Sequence, residues 1–295
     1  MRFLPLARLL RLPNVFTAFA DIALGVCVTW GLVGTVDLTH ALLLFLASGC
    51  LYLAGMVWND YFDFEEDRRE RGFRPLPSGQ ISKRFAVLLA MVLMLAGVGC
   101  SLLVKRESAM IAGCIAFAVL LYDAWLKHTP IGPVSMATCR FLNVLLGLTL
   151  ADVEAVPWSL RIHLASVIGV YIVGVTWFAR TEASMSKRSS LIAAASVIGV
   201  ALLIGLAVPL NLQSGTSSIV FPYMLVLFVF LIGLPLVGAI QEPIPAKVQR
   251  AVKRTILGLV FLDATLATIF VGISGMLVLL LLPPALLLGK WVYST

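Results

Sequence analysis

Long apolar runs, each about 20 residues and parted by short polar segments, dominate the chain. A membrane-crossing helix needs about 20 mostly apolar residues. The runs fall at 14–35, 39–60, 84–104, 108–126, 134–152, 162–180, 190–209, 219–239, 250–271 and 274–292. The pattern predicts an all-α fold, a polytopic transmembrane helical bundle. Ten spans are counted, or nine, since only Gly272-Ile273-Ser274-Gly275 parts the last two. No low-complexity linker divides the runs, so residues 1–295 read as a single transmembrane domain. The opening segment, with Arg2, Arg8 and Arg11 among leucines, reads as an interfacial lead-in rather than a cleaved leader.

Composition agrees. The chain is 60% hydrophobic and 13% charged, against about 25% charged in ordinary soluble domains. Its surplus of apolar side chains must face lipid. The formal charge of +7 does not point to nucleic acid, because the basic residues cluster in loops on one side. With ten spans, 19 of the 22 basic residues share a side, leaving Lys105, Arg106 and Arg161 opposite. The positive-inside rule then places both termini and the charged loops in the cytoplasm of a bacterial inner or plasma membrane. Five cysteines, all in apolar runs and none at CxxC spacing, argue against a disulfide framework or zinc site.

The chemistry concentrates where the second run leaves the membrane. Asn59-Asp60-x-x-Asp63-x-x-x-Asp67 has spacings of three and four, which keep side chains on one helical face. Asp60 to Asp67 covers roughly 10 Å of helix. Such a row of oxygens suits magnesium, which takes one or two carboxylates together with substrate phosphates. The competing reading is a solvated helix end, since Arg68, Arg69 and Arg71 follow. Glu65 and Glu66 read as surface residues. Carboxylates at a membrane edge are costly, and that favours function. So does Arg74-Pro75-Leu76-Pro77-Ser78-Gly79-Gln80-Ile81-Ser82, a rigid turn carrying a guanidinium close to the carboxylates.

NDYFDFEED followed by RPLPSGQIS resembles the first signature of the UbiA superfamily of membrane prenyltransferases, NDxxDxxxD then RPxxxGxxS. The match rests on Asn59, Asp60, Asp63, Asp67, Arg74, Pro75, Gly79 and Ser82. Arg11-Leu12-Pro13-Asn14, with Asp21 and Gly25, is similar to the opening of these proteins. The resemblance implies helices around a central cavity and magnesium-assisted ionisation of an allylic polyprenyl diphosphate. The prenyl group then passes to an acceptor. It assigns Asp60, Asp63 and Asp67 to magnesium, with Arg74 among the catalytic groups and Asn59 supporting metal or diphosphate. The physics fits: metal and cations stabilise the leaving diphosphate, and a dry apolar cavity protects the cation from water.

Other polar positions extend the expected site. Tyr122 and Lys127 close the fourth run, where the resemblance places a Tyr and a cation near the diphosphate; a snorkelling membrane anchor is the alternative for Lys127. His128 is given no role. Arg140 and Asn143 share a helical face and either line the cavity or bond between helices. Asn14 is a further candidate for the cavity. Asp21 and Asp263, deep within their runs, read as packing polarity.

The resemblance also implies a second aspartate cluster after the sixth run. The chain offers Arg180-Thr181-Glu182-Ala183-Ser184, then Lys187 and Arg188, with Glu182 its one carboxylate. A divergent, EboC-like branch of the superfamily is similar here. Three readings stay open. Glu182 holds a second magnesium, or Arg180 and Lys187 replace that ion's charge, or diphosphates are no longer ionised. The reading carried forward is a prenyltransferase of the class that transfers alkyl or aryl groups other than methyl, working with magnesium. Its partners are a polyprenyl diphosphate donor, a small acceptor and membrane lipid. A diphosphate-binding carrier is the alternative. A secondary transporter using Asp21 and Asp263 is weaker, because the acidic motif ends a helix rather than lying at the midplane.

The charge asymmetry makes a direct prediction. In a cysteine-free background, Lys253→Cys is labelled by a membrane-impermeant maleimide only from the cytoplasmic side, and Asp152→Cys only from the other. The reverse pattern overturns the orientation.

Overall fold

The computed structural model describes residues 3–182, 185–212 and 218–293. Arg2, Ser184 and most of the uncharged stretch expected as the loop after the seventh run therefore lie outside the described residues. Helices account for nearly all the rest, and no strand occurs among the described residues. In chain order they are α1 (Phe3–Leu9), α2 (Val15–Val33), α3 (Leu38–Phe62), α4 (Phe64–Glu70), α5 (Lys83–Val104), α6 (Arg106–Ala124), α7 (Gly132–Leu148), α8 (Trp158–Ala179), α9 (Arg188–Leu206), α10 (Val220–Gln241), α11 (Pro245–Val271) and α12 (Leu282–Tyr293).

Local chemistry starts and stops them. Asp37 caps α3 by accepting the N–H groups of Thr39 and His40, and Ser82 caps α5 by accepting that of Phe85. Among the described residues, eight helical segments are long and apolar enough to cross a membrane. At 17 residues α7 is shorter than these, and residues 245–292 form one continuous helical run. That run turns at Gly272 and continues as a 3-10 helix over Gly272–Leu281 before α12. Pro283 and Pro284 lack the N–H groups that the carbonyls of Leu279 and Leu280 need in an α-helix.

Two groups of helices enclose the centre. In the first, α2, α3, α5, α6 and α7 pack in sequence. In the second, α8, α9, α10 and α11 do so, and the contacts α7·α8 and α2·α11 close the ring. The outer faces carry exposed Leu88, Leu95, Phe117, Phe230 and Leu234, as a lipid-facing surface requires. With eight apolar spans and this exterior, the chain is an integral multi-pass membrane protein.

Lipid tails are as apolar as leucine, so close van der Waals packing must hold such helices together. The tightest crossing is α2 on α7. A Cβ on Gly25 would lie 2.3 Å from the carbonyl carbon of Gly147, so only glycine lets these backbones meet. At the end where α6 and α8 begin, Arg161 is wholly buried. It donates to Glu107 at 2.7 Å and to the carbonyls of Val156 and Ala151. Lys105 adds an ion pair to Glu107.

Gly25→Ala should lower stability by about 1–3 kcal/mol through overpacking. Gly99→Ala, in α5 with open space around it, should be neutral or raise stability by about 0.5–1 kcal/mol. Unfolding in detergent, monitored by far-UV circular dichroism, compares the two.

Candidate functional site

The site forms where α3 meets α4. The helix breaks at Asp63, although the N–H groups of Asp63 and Asp67 still bond the carbonyls of Asn59 and Asp63. The break divides the three aspartates, which were expected on one face. Asp60 and Asp67, each almost fully buried, turn to one side and share Arg74. Its guanidinium lies 2.6 Å from Asp67 and 3.6 Å from Asp60. Asp63 turns to the other side, 2.5 Å from the Lys127 ammonium and 3.9 Å from His128.

Arg74 reaches its place because the turn after α4 is rigid. Pro75 and Pro77 restrict φ, and Gly79 adopts φ +75, which a side chain would strain. Ser78 donates its hydroxyl and its N–H back to the Arg74 carbonyl. Arg71, one helical turn past Asp67, adds an ion pair at 3.6 Å.

Two further groups complete the network. Arg11 donates to Asn59 at 2.9 Å and to Asp60 at 3.0 Å. It holds φ 44, ψ 47, and is the one non-glycine at positive φ among the described residues. Such a conformation costs of order 1 kcal/mol, and it persists only where surrounding contacts impose it. Asp123, at the end of α6, accepts from Asn59 at 3.0 Å and lies 4.0 Å from Lys127. Neither residue was singled out from the sequence. The signal for Arg11 lay in the Arg-Leu-Pro-Asn opening, and for Asp123 in its place beside Tyr122. Both signals needed the tertiary fold to acquire meaning.

Behind this layer is a cavity of about 430 Å³. Arg11, Asn14, Asn59, Tyr122, Asp123 and Glu182 line it near the charged end, and Leu51, Ile115, Val119, Ile172, Val175 and Leu259 are among its apolar walls. Thr17, Ser48, Tyr52, Arg140 and Asn143 line it further in. Ser48 lies 11 residues along α3 from Asn59, roughly 16 Å. Arg140 donates to Asp21 at 3.2 Å and to Thr17 at 2.6 Å, with its guanidinium 5.5 Å from the centre of the Tyr52 ring. Asn143 donates to Asp21 and the Ala18 carbonyl and accepts from Ser48. The pair thus does both things expected of it, bonding between helices and lining the cavity. The Asp21 carboxyl lies against that of Asp263 from α11.

The region after α8 is arranged differently from the first motif. Glu182 lines the cavity, and its carbonyl accepts from Gln249. Burial raises its carboxyl above the usual range, and the Arg71 guanidinium opposes that shift. Arg180 turns away and donates to the Thr129 carbonyl in the α6–α7 connection. Lys187 is exposed at the start of α9. The structure therefore brings Asn14, Asn59, Tyr122, Arg140, Asn143 and Glu182 to one cavity. It sets Asp60, Asp63, Asp67, Arg74 and Lys127 over the cavity's end, and leaves Arg180 and Lys187 off its wall.

The donors suit a hard divalent cation. Ligand atoms of Asp63, Glu66 and His128 lie within 4.8 Å of one another. The Lys127 ammonium beside them is buried and lacks a well-directed hydrogen bond. Glu66 and His128 are exposed, as the sequence suggested, yet they face the Asp63 carboxylate.

A model of the UbiA prenyltransferase family matches residues 22–242. Digeranylgeranylglyceryl phosphate synthase of Saccharolobus solfataricus is 32% identical over 143 residues, covering 48% of this chain and 49% of that protein. The protein of the same name from Methanoregula boonei is 39% identical over 100 residues, 34% of this chain and 36% of that one. The matches thus span about half the length of these curated relatives, or less. A solved structure of a digeranylgeranylglyceryl phosphate synthase superposes with TM-score 0.69 at 21% identity, covering 92% of this chain and 99% of its own. A UbiA homolog from Archaeoglobus fulgidus bound to GPP and Mg2+ gives TM-score 0.59 at 16% identity, covering 89% and 99%. At these identities the superpositions show the fold.

Arg11 generates a prediction on stability. Arg11→Ala should cost about 2 kcal/mol, because buried Asp60 loses its nearest cation. Arg11→Gly should recover about 1 kcal/mol of this by relieving the left-handed backbone. Equilibrium unfolding of the three proteins in one detergent measures both differences.

Proposed function

Because the chain belongs to the UbiA prenyltransferase family, whose members transfer prenyl groups from polyprenyl diphosphates, we propose that it is a prenyltransferase. It moves a prenyl group from an allylic polyprenyl diphosphate to a small acceptor at the cytoplasmic face of the membrane. One observation carries this reading: interleaved carboxylates and cations cover the end of an apolar-walled cavity. Charged groups there meet the diphosphate, and the walls accept the prenyl chain.

In this reading the carboxylates of the first motif would hold magnesium, Asp60 and Asp67 from one side of the helix break and Asp63 from the other, and the ion would supply positive charge to the leaving diphosphate. Arg11, Arg74 and Lys127 now neutralise those carboxylates. When substrate arrives they exchange partners, their N–H groups turning from carboxylate to phosphate oxygens. An Arg fork matches phosphate in a bidentate way, whereas Lys127 acts as a point charge. Tyr122 and Asn14 stand beside this end of the cavity, where the allylic carbon ionises. Leu51, Ile115, Val119 and Ile172 exclude water that would quench the cation. Arg140, roughly two to three helical turns further in, orients whatever polar group enters the inner part of the cavity. The excess of basic residues on one side supports a cytoplasmic location for both termini, and in this reading residues 1–295 act as one domain.

A carrier that binds the diphosphate without transfer is the second reading, and the single carboxylate at Glu182 is what favours it. The purified protein is incubated with magnesium, labelled allylic diphosphates of several lengths and a cell extract. Release of diphosphate with a prenylated product is expected. Asp63→Asn should reduce release by about 100-fold or more, the scale for losing one charge-stabilising group. Tight magnesium-dependent binding without release in any extract would favour the carrier.

A further inference from the structure

Resting on that reading, we infer that the acceptor is an uncharged hydroxyl compound, bearing neither carboxylate nor phosphate, whose hydroxyl is held by Arg140 and Ser48 at the inner end of the cavity. The charges on the wall carry the argument. Among the described residues, two cations line the cavity, Arg11 and Arg140, and so do two carboxylates, Asp123 and Glu182. Each cation is also matched by a carboxylate behind the wall. Arg11 lies 3.0 Å from Asp60, and Arg140 lies 3.2 Å from Asp21. Asp263, wholly buried in α11, brings a further carboxyl to Asp21 and no cation. The wall therefore has no positive charge in surplus. Arg11 stands at the charged end, where the diphosphate engages it. Arg140 is left for the acceptor, and Asp21 already balances it. A carboxylate or phosphate brought there would give up its water for a cation that is already matched, and burying an unmatched anion is costly.

The inner end does offer hydrogen bonds. Arg140 donates to Asp21 and Thr17, and its guanidinium keeps further N–H groups for the cavity it lines. Ser48 donates its hydroxyl hydrogen to Asn143, so its oxygen is left as an acceptor. A hydroxyl answers both, accepting from Arg140 and donating to Ser48. An ammonium could not accept from Arg140 and would meet its positive charge. The Tyr52 ring, 5.5 Å from the guanidinium, lies seven residues along α3 from Asn59, roughly 10 Å. A small molecule held by Arg140 thus extends towards the allylic carbon. In the transfer, the bond from that carbon to the diphosphate oxygen breaks, and its electron pair leaves with the diphosphate. A nucleophilic atom at the acceptor's other end bonds to the carbon, and the proton it loses passes to the released diphosphate.

The small-molecule extract of the source cells is passed near neutral pH through a strong anion exchanger and then a strong cation exchanger. Purified protein, magnesium and labelled allylic diphosphates are added to each fraction. Prenylated product is expected chiefly with the material that neither column retains. Product made chiefly with material eluted from either exchanger overturns the inference and leaves the transferase reading standing. No product even with unfractionated extract overturns the transferase reading itself. Asp21→Asn keeps a hydrogen-bonding side chain but leaves the Arg140 charge unmatched. It should raise prenylation of acceptors from the anion-exchanger eluate about tenfold or more, the scale of a charge-assisted hydrogen bond. Continued rejection of that eluate, with the requirement for diphosphate unchanged, overturns the role given to the Arg140–Asp21 pair. Arg140→Gln combined with Asp21→Asn removes the pair as a unit. It should need about tenfold more of the unretained fraction for half-maximal rate, at an unchanged half-saturating diphosphate concentration. An unchanged requirement for that fraction overturns the placing of the acceptor at Arg140.

Discussion

Charge near or within a membrane must be paired, and the pairing of Asp60, Asp63 and Asp67 with Arg11, Lys127 and Arg74 shapes the rest of the site. Leaving a buried ion without its partner costs about 3–5 kcal/mol. The partners come from widely separated segments: the α1–α2 junction, the end of α3, the turn after α4 and the connection after α6. Each pair therefore ties two of these segments together at one membrane edge. The strained backbone at Arg11 is a local cost of that arrangement.

The same rule has different outcomes at three depths. At the far end, Arg161 is wholly buried, donates to Glu107 and two carbonyls, and lies off the cavity wall. Halfway in, Arg140 is fastened to Asp21 and Thr17, yet it still lines the cavity. At the charged end, Arg11 keeps 30% side-chain exposure and Asp63 keeps 18%. In the proposed reaction, partial exposure would let a pair be exchanged for phosphate and metal without opening the bundle. The gradient from fixed to exchangeable pairs follows the direction in which a diphosphate would arrive.

Much of this was legible in the residues. The apolar runs located all the long helices, because a period set by bilayer thickness is a strong signal. The motif at Asn59–Asp67 and the RPLPSGQIS turn pointed to the end of the bundle where the structure gathers Asp60, Asp63, Asp67, Arg74 and Lys127. Helical spacing was misleading at one point. It put three aspartates on one face, and the break at Asp63 divides them. Arg180 and Lys187 were expected at the diphosphate because they follow the second motif, but the fold turns one to Thr129 and leaves the other at the surface.

What the sequence by itself determined was the membrane class, the family and the acidic motif at its centre. These are written in local composition and short spacings. Which cation meets which carboxylate was decided only by the tertiary structure. Arg11 and Asn59 are 48 positions apart, and Asn59 and Asp123 are 64 apart. The packing of α1 and α6 against α3 brings them together. The influence of the Arg71 guanidinium on Glu182, which belongs to the other half of the ring, is of the same kind. No local pattern records it, because it depends on how the two halves of the ring close.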